Sequence, residues 1–115
     1  MGRVLVVEDD CLIAMELAAE LQELGHVVIG PCTSVEQGIA LSGDANLDAA
    51  ILDIRVSDGL IYPLAEALQE RHIPFVFATG YDADGVPEEF RQVPLVRKPF
   101  TAEQLMSELA ALQLV

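Results

Sequence analysis

No stretch of the 115-residue sequence approaches eighteen consecutive apolar residues, which excludes a membrane-spanning helix. Basic residues are scarce, six Lys and Arg against 19 Asp and Glu, and the formal charge of −13 repels nucleic-acid backbones and anionic membrane surfaces. Direct nucleic-acid binding is therefore not expected; the acidic excess suits solubility, divalent cations or basic protein patches. The two cysteines, Cys11 and Cys32, lack the C-x-x-C spacing of a zinc or redox site. Both are expected reduced and buried as small hydrophobes. The start, Met1-Gly2-Arg3-Val4, turns acidic at Glu8, too soon for a secretory signal, so the expected location is cytoplasmic. Repeats, low-complexity tracts and linkers are also missing, and one domain over 1–115 is expected.

What is present is a packed globule by composition, 52% hydrophobic and 22% charged. Apolar runs of strand length recur at Val4–Val7, Val27–Ile29, Ala50–Ile54, Phe75–Ala78 and Leu95–Val96. They are too short and too uniformly apolar for amphipathic helices, and suit strands buried on both faces. Between them, Cys11 to Leu24 carries the stripe Ile13, Leu17, Leu21 and Leu24, with Gly25 as its stop. Ser34 with Gln37, and Thr101 with Gln104, have capping-box spacing. Leu60 to Arg71 reads as a further helix if Pro63 lies in its first turn. Gly80 to Val93, rich in Asp, Gly and Pro, leaves only Pro87 to Gln92 with helical character, so the fourth helix is expected to be short, frayed or absent. Alternating strands and helices predict a doubly wound α/β fold: a five-stranded parallel sheet of order 2-1-3-4-5 with helices on both faces.

In such sheets the ligand site lies beyond the carboxyl ends of the strands. Glu8, Asp9 and Asp10 follow the first strand, Asp53 ends the third, Thr79 follows the fourth and Lys98 the fifth. Crowded carboxylates do not all stay ionised near neutral pH unless a positive group sits among them, and oxygen ligands favour a hard cation, so magnesium is the expected occupant. It bridges carboxylates to phosphate oxygens, as an aspartate accepting a phosphoryl group requires. Lys98 and Thr79 would then hold the other phosphoryl oxygens. The plainer reading of Glu8-Asp9-Asp10 is a solvated turn capping the first helix. His26, His72 and the Glu16, Glu20, Glu23 face read as solvated polar positions.

Val4-Leu5-Val6-Val7-Glu8-Asp9-Asp10, Leu52-Asp53-Ile54, Ala78-Thr79-Gly80 and Arg97-Lys98-Pro99-Phe100, in that order, resemble the four signatures of the receiver domain of two-component response regulators. The run Pro74 to Tyr81 further resembles the FAT GUY subgroup, found mainly in alphaproteobacteria. The resemblance implies that Asp53 is the phosphoacceptor, taking its phosphoryl group from a sensor histidine kinase or a histidine phosphotransfer protein. It implies that Asp9, Asp53 and the backbone carbonyl of Arg55 hold magnesium, with Glu8 acting mainly through water and Asp10 given no metal role. Thr79 matches the switch hydroxyl, and Lys98 the family's ammonium, joined to Pro99 by a cis bond. Gly80 matches the small residue that admits a phosphodonor, and Arg55 and Tyr81 occupy positions that tune phosphoryl lifetime.

Three departures stand out. Ser57 replaces the common proline four residues after the acceptor, so a looser loop is expected there. Leu95 replaces the aromatic residue whose ring moves with the switch threonine. The weak fourth helix undermines a common dimerisation face, so output is expected through ordering of residues 80–93 and a downstream protein partner. A haloacid-dehalogenase-type hydrolase would need a second Asp where Arg55 stands, and a flavin or nucleotide site would need a Gly/Ser/Thr-rich loop where Glu8-Asp9-Asp10 stands. The implied role is a stand-alone signalling phosphoacceptor rather than an enzyme, the alternative being a degenerate receiver that docks proteins without phosphorylation.

Overall fold

The computed structural model describes residues 2–44, 46–80 and 85–113. In chain order the elements are β1 (Arg3–Val7), α1 (Cys11–Glu23), β2 (Val27–Cys32), α2 (Val35–Asp44), β3 (Ala49–Leu52), β4 (Arg55–Val56), β5 (Gly59–Leu60), α3 (Tyr62–Glu70), β6 (Phe75–Thr79), β7 (Leu95–Arg97) and α4 (Ala102–Gln113). The main sheet is parallel, in the order β2-β1-β3-β6-β7, and β4 and β5 form a separate antiparallel hairpin. With that inserted hairpin set aside, the order is the expected 2-1-3-4-5.

Successive side chains of a strand point to opposite faces, and the uniformly apolar strands feed two cores in this way. Leu5, Val7, Ala50, Leu52, Phe75 and Phe77 meet Val35 of α2 and Leu64, Ala65 and Leu68 of α3. Val4, Val6, Ala49, Ile51, Val76 and Ala78 meet Leu17 and Leu21 of α1 and Leu105 and Leu109 of α4. Each leucine so buried stabilises the fold by about 1.5–3 kcal/mol before chain entropy is counted. Gly38 permits the close approach of α2 and α3, because a Cβ there would stand 2.6 Å from Leu64 Cδ2.

Local chemistry explains where elements begin and end. Asp10 accepts hydrogen bonds from the Leu12 and Ile13 amides and starts α1 at Cys11. That start sets the helix phase: Ala14, Leu17 and Leu21 are buried, whereas Cys11 is exposed and Leu24, beyond the last helical residue, is 45% exposed. The expected burial of Cys11 and Leu24 is thereby corrected; Cys32 is buried as expected. Thr101 and Gln104 form a reciprocal capping box at α4, their side chains bonding each other's amides at 2.8 and 3.1 Å. At α2, Ser34 Oγ accepts from the Gln37 amide, and the Gln37 side chain accepts from the Thr33 amide. Pro63 sits in the first turn of α3, which starts at Tyr62 rather than Leu60 because Gly59 and Leu60 are used by the hairpin.

Between β6 and β7 the described residues hold a single 3-10 turn, Glu88–Phe90, where a fourth helix would stand. Val86 and Phe90 are buried against the α3 side of the sheet. Phe90 stacks on Tyr62 at 5.6 Å and meets Phe77 edge-on at 6.0 Å, so residues 85–93 are anchored by aromatic packing. The part of the expected ordering segment at 81–84 lies outside the described residues. No described helix is long and apolar enough to cross a membrane.

Candidate functional site

Strand register brings the polar strand ends together. Val7 lies level with Leu52, and Leu52 with Phe77, so Glu8 and Asp53 leave neighbouring strands side by side. Thr79 pairs with Arg97, and the next residue, Lys98, donates its amide to the Thr79 carbonyl at 3.0 Å. The Asp53 amide still donates to Val7 O at 2.9 Å, but β3 ends at Leu52, so Asp53 stands just outside the strand expected to contain it. On the other side of β1, the Glu8 amide donates to Cys32 O at 2.9 Å.

Glu8, Asp53 and Thr79 are buried, at 2%, 3% and 0% exposure. Lys98 Nζ lies 2.7 Å from Glu8 Oε1 and 3.2 Å from Asp53 Oδ2. Asp9, which is exposed, brings a third carboxylate: one oxygen each from Glu8, Asp9 and Asp53 lie within 4.8 Å of one another. Glu8 is fixed further by the Asp10 amide, which donates to its Oε2 at 3.0 Å. The side chain of Asp10 caps α1 and takes no part in the cluster. The Lys98–Pro99 peptide bond is cis, and so is Gly30–Pro31, which the sequence reading did not foresee.

Three carboxylates around one ammonium leave the site negative. Burial, reinforced by the adjacent Glu8, pushes the Asp53 carboxyl up to about 7, with Lys98 pulling the other way. Burial also disfavours the Lys98 charge, but its bonds to Glu8 and Asp53 outweigh that and hold its pKa above the usual lysine value. Asp53 Oδ1 is buried with no hydrogen-bond partner, an arrangement that is costly for an acceptor. An all-oxygen cluster with one unpaired buried oxygen fits a hard divalent cation, which would remove both the charge excess and the missing partner.

The remaining candidate residues are placed as follows. Arg55 opens β4, exposed, two residues past Asp53. A Cβ at Gly80 would meet nothing within 4 Å, so nothing among the described residues crowds that side. Leu95 is half-buried, in register with Phe77 and packed on the same core. Tyr81 lies outside the described residues. His26 is half-buried and its Nδ1 accepts from the Gly2 amide at 3.1 Å; His72 is exposed, at φ +58°. Ser57 departs from expectation. Instead of a looser loop, its amide and hydroxyl both donate to Thr33 O, while the neighbouring Asp58 accepts from the Val35 and Glu36 amides. Asp58-Gly59 reads locally as a turn, and no local signal identifies the helix its carboxylate caps.

The chain matches no protein-family model. Among solved structures it is 43% identical to SdrG from Sphingomonas melonis Fr1, covering 98% of this chain and 97% of that one, with a TM-score of 0.85. It is 44% identical to the BeF3-activated conformation of SdrG, covering 96% and 94% of the two chains, with a TM-score of 0.77. Among curated proteins it is 33% identical over 106 residues to the phyllosphere-induced regulator PhyR of Methylorubrum extorquens, covering 84% of this chain and 38% of that protein. The chain spans about half or less of the length of the curated relatives it matches, from 38% to 53%.

Proposed function

The chain belongs to the receiver-domain family of response regulators, with PhyR- and SdrG-like relatives from alphaproteobacteria, and from that premise we propose that Asp53 accepts a phosphoryl group from a phosphohistidine. Receivers of this family are signalling proteins, and the relative with a BeF3-activated conformation is one that responds to a phosphoryl mimic. The observation that carries the assignment is the buried, partnerless Asp53 Oδ1 beside Lys98 and within a cluster of three carboxylates.

Magnesium fits the cluster of Glu8, Asp9 and Asp53; Asp9, Asp53 and the Arg55 carbonyl would hold it, with Glu8 acting through water. When bound, it supplies positive charge that keeps Asp53 ionised and offsets charge on the transferring oxygens. An Asp53 oxygen then forms the new bond to phosphorus as the phosphorus–nitrogen bond breaks, and that bond's electron pair returns to the imidazole of the donor. The Lys98 ammonium, now between Glu8 and Asp53, is close enough to pair with a phosphoryl oxygen on Asp53. The Thr79 hydroxyl, at the end of β6, is the second contact. Gly80 leaves the approach open, and Arg55 and Tyr81, two residues beyond Asp53 and Thr79 in the sequence, tune access of water to the acyl phosphate.

The donor is a sensor histidine kinase or a histidine phosphotransfer protein, the location is the cytoplasm, and output passes to a downstream protein. Catalysis is confined to the chain's own phosphorylation and dephosphorylation. The Pro74–Tyr81 run supports membership of the FAT GUY subgroup. Incubation with a phosphohistidine-carrying phosphotransfer protein and Mg2+ tests this reading. Phosphate is expected to move onto this chain and to stay on the donor when Mg2+ is chelated. A donor that binds the chain yet keeps its phosphate even with Mg2+ would instead mark a docking module.

A further inference from the structure

The segment between Asp53 and α3 is held at its base, where Ile54 and Ile61 are buried and the Ile61 amide donates to Ile54 O at 2.8 Å, but beyond that base little secures it. Its hairpin has two residues per strand, and short isolated hairpins are marginal in water. Val56 alone of its four strand residues is buried; Arg55, Gly59 and Leu60 are exposed. Its turn, however, is bonded to the junction between β2 and α2. Ser57 donates to Thr33 O from its amide at 3.1 Å and from its hydroxyl at 2.8 Å. Asp58 Oδ1 accepts from the Val35 amide at 2.7 Å, and Oδ2 from the Glu36 amide at 3.1 Å. Both carboxylate oxygens of an exposed residue are thus used to cap a helix that begins 23 residues earlier in the chain.

The same junction holds the opposite wall of the site. Cys32 O accepts the Glu8 amide, and the next residue, Thr33, accepts both Ser57 bonds. The main chain at Arg55 therefore runs between the base of the hairpin, where Ile54 is buried and its carbonyl accepts from the Ile61 amide, and the clamped turn beyond Val56. A main-chain ligand has no rotamer with which to correct a displacement, so its position depends on what holds the backbone.

We propose that Asp58, with Ser57, is a positioning residue for the cation site: by clamping the β4–β5 hairpin to α2 it fixes the Arg55 carbonyl beside Asp53. This inference rests on the reading of that carbonyl as a magnesium ligand. Without the clamp, Glu8, Asp9 and Asp53 remain, and cation affinity falls because the Arg55 carbonyl is then held only from the base of the hairpin.

The test is Mg2+ titration of the folded chain, followed through the Asp53–Arg55 amide signals, for wild type, Asp58→Ala, Asp58→Asn and Asp48→Ala. Asp48 is an exposed carboxylate that also bonds an amide, Arg3 N at 2.8 Å, just before β3 and so at the amino-terminal end of the sheet. Asp48→Ala therefore removes the same charge and a comparable bond. Asp58→Ala is expected to weaken Mg2+ binding by about tenfold, and Asp48→Ala to leave it within about twofold. Asp58→Asn keeps an acceptor for the Val35 amide while losing the charge, and is expected to recover part of the affinity. Should Asp58→Ala fail to fold, Asp58→Asn still has to bind more weakly than Asp48→Ala. Asp58→Ala matching Asp48→Ala, or Asp58→Asn no tighter than Asp58→Ala, would overturn the positioning role. Wild type that binds no Mg2+ would overturn the metal reading itself and this inference with it.

Discussion

Replacing Asp53 by asparagine should stabilise the metal-free protein, and more so as pH rises. The carboxyl is buried beside Glu8 and has one oxygen without a partner, which raises it from 3.8 to about 7. Between those values the folded chain holds a proton that the unfolded chain has released, so stability falls as pH rises through the interval and levels off above about 7. Each pH unit of difference corresponds to about 1.4 kcal/mol. Going from about pH 5 to about pH 8.5, the wild type should lose roughly 2–3 kcal/mol through this one group. Asparagine keeps the shape and never ionises, while titrating groups away from the Glu8–Asp53–Lys98 cluster are common to both proteins and cancel in the comparison. Urea denaturation of both proteins across this range, with a chelator present, measures the difference directly. The advantage of Asp53→Asn should grow by that amount. A constant difference, or a variant that becomes the less stable protein at high pH, would refute the reasoning that burial and Glu8 destabilise the ionised carboxylate.

Lys98→Met leaves Glu8 and Asp53 facing each other without their shared cation and should lower metal-free stability near neutral pH by about 1–3 kcal/mol, read by the same denaturation. It should also slow phosphoryl uptake from a phosphodonor, because Lys98 is the ammonium paired with Asp53. Phe90→Ala empties the nest formed with Tyr62, Phe75 and Phe77 and should cost about 3–5 kcal/mol, with increased amide exchange across residues 85–93. Asp10→Ala removes the α1 cap and should cost about 1 kcal/mol while leaving phosphoryl uptake in place, since the Asp10 side chain is turned to the helix and its amide still reaches Glu8.

The sheet was legible because its strands are buried on both faces and so appear as bare apolar runs. The site was legible because polar residues that end such runs, Glu8, Asp53, Thr79 and Lys98, have few reasons to be there apart from function. What stayed hidden was tertiary. The stripe through Ile13 and Leu24 looked continuous, but the Asp10 cap sets the phase of α1 and leaves Cys11 and Leu24 outside the core. Ser57 looked like the loss of a stiffening proline, and its bonds to Thr33 depend on a junction 24 residues away. Phe90 lay in Pro87 to Gln92, which read as a short or frayed helix with nothing to mark it as core. Its burial follows from the aromatic faces offered by Tyr62, Phe75 and Phe77, which no local window contains. The shorter of the two Lys98 contacts is to Glu8 rather than to Asp53, a detail of side-chain geometry beyond any motif.

The central claim, a phosphoryl group carried on Asp53, is tested most directly by the intact mass of the protein after incubation with Mg2+ and acetyl phosphate, beside Asp53→Asn and a chelated control. The account predicts a gain of one phosphoryl group in the wild type with Mg2+ and none in either control. A gain that persists in Asp53→Asn would contradict it.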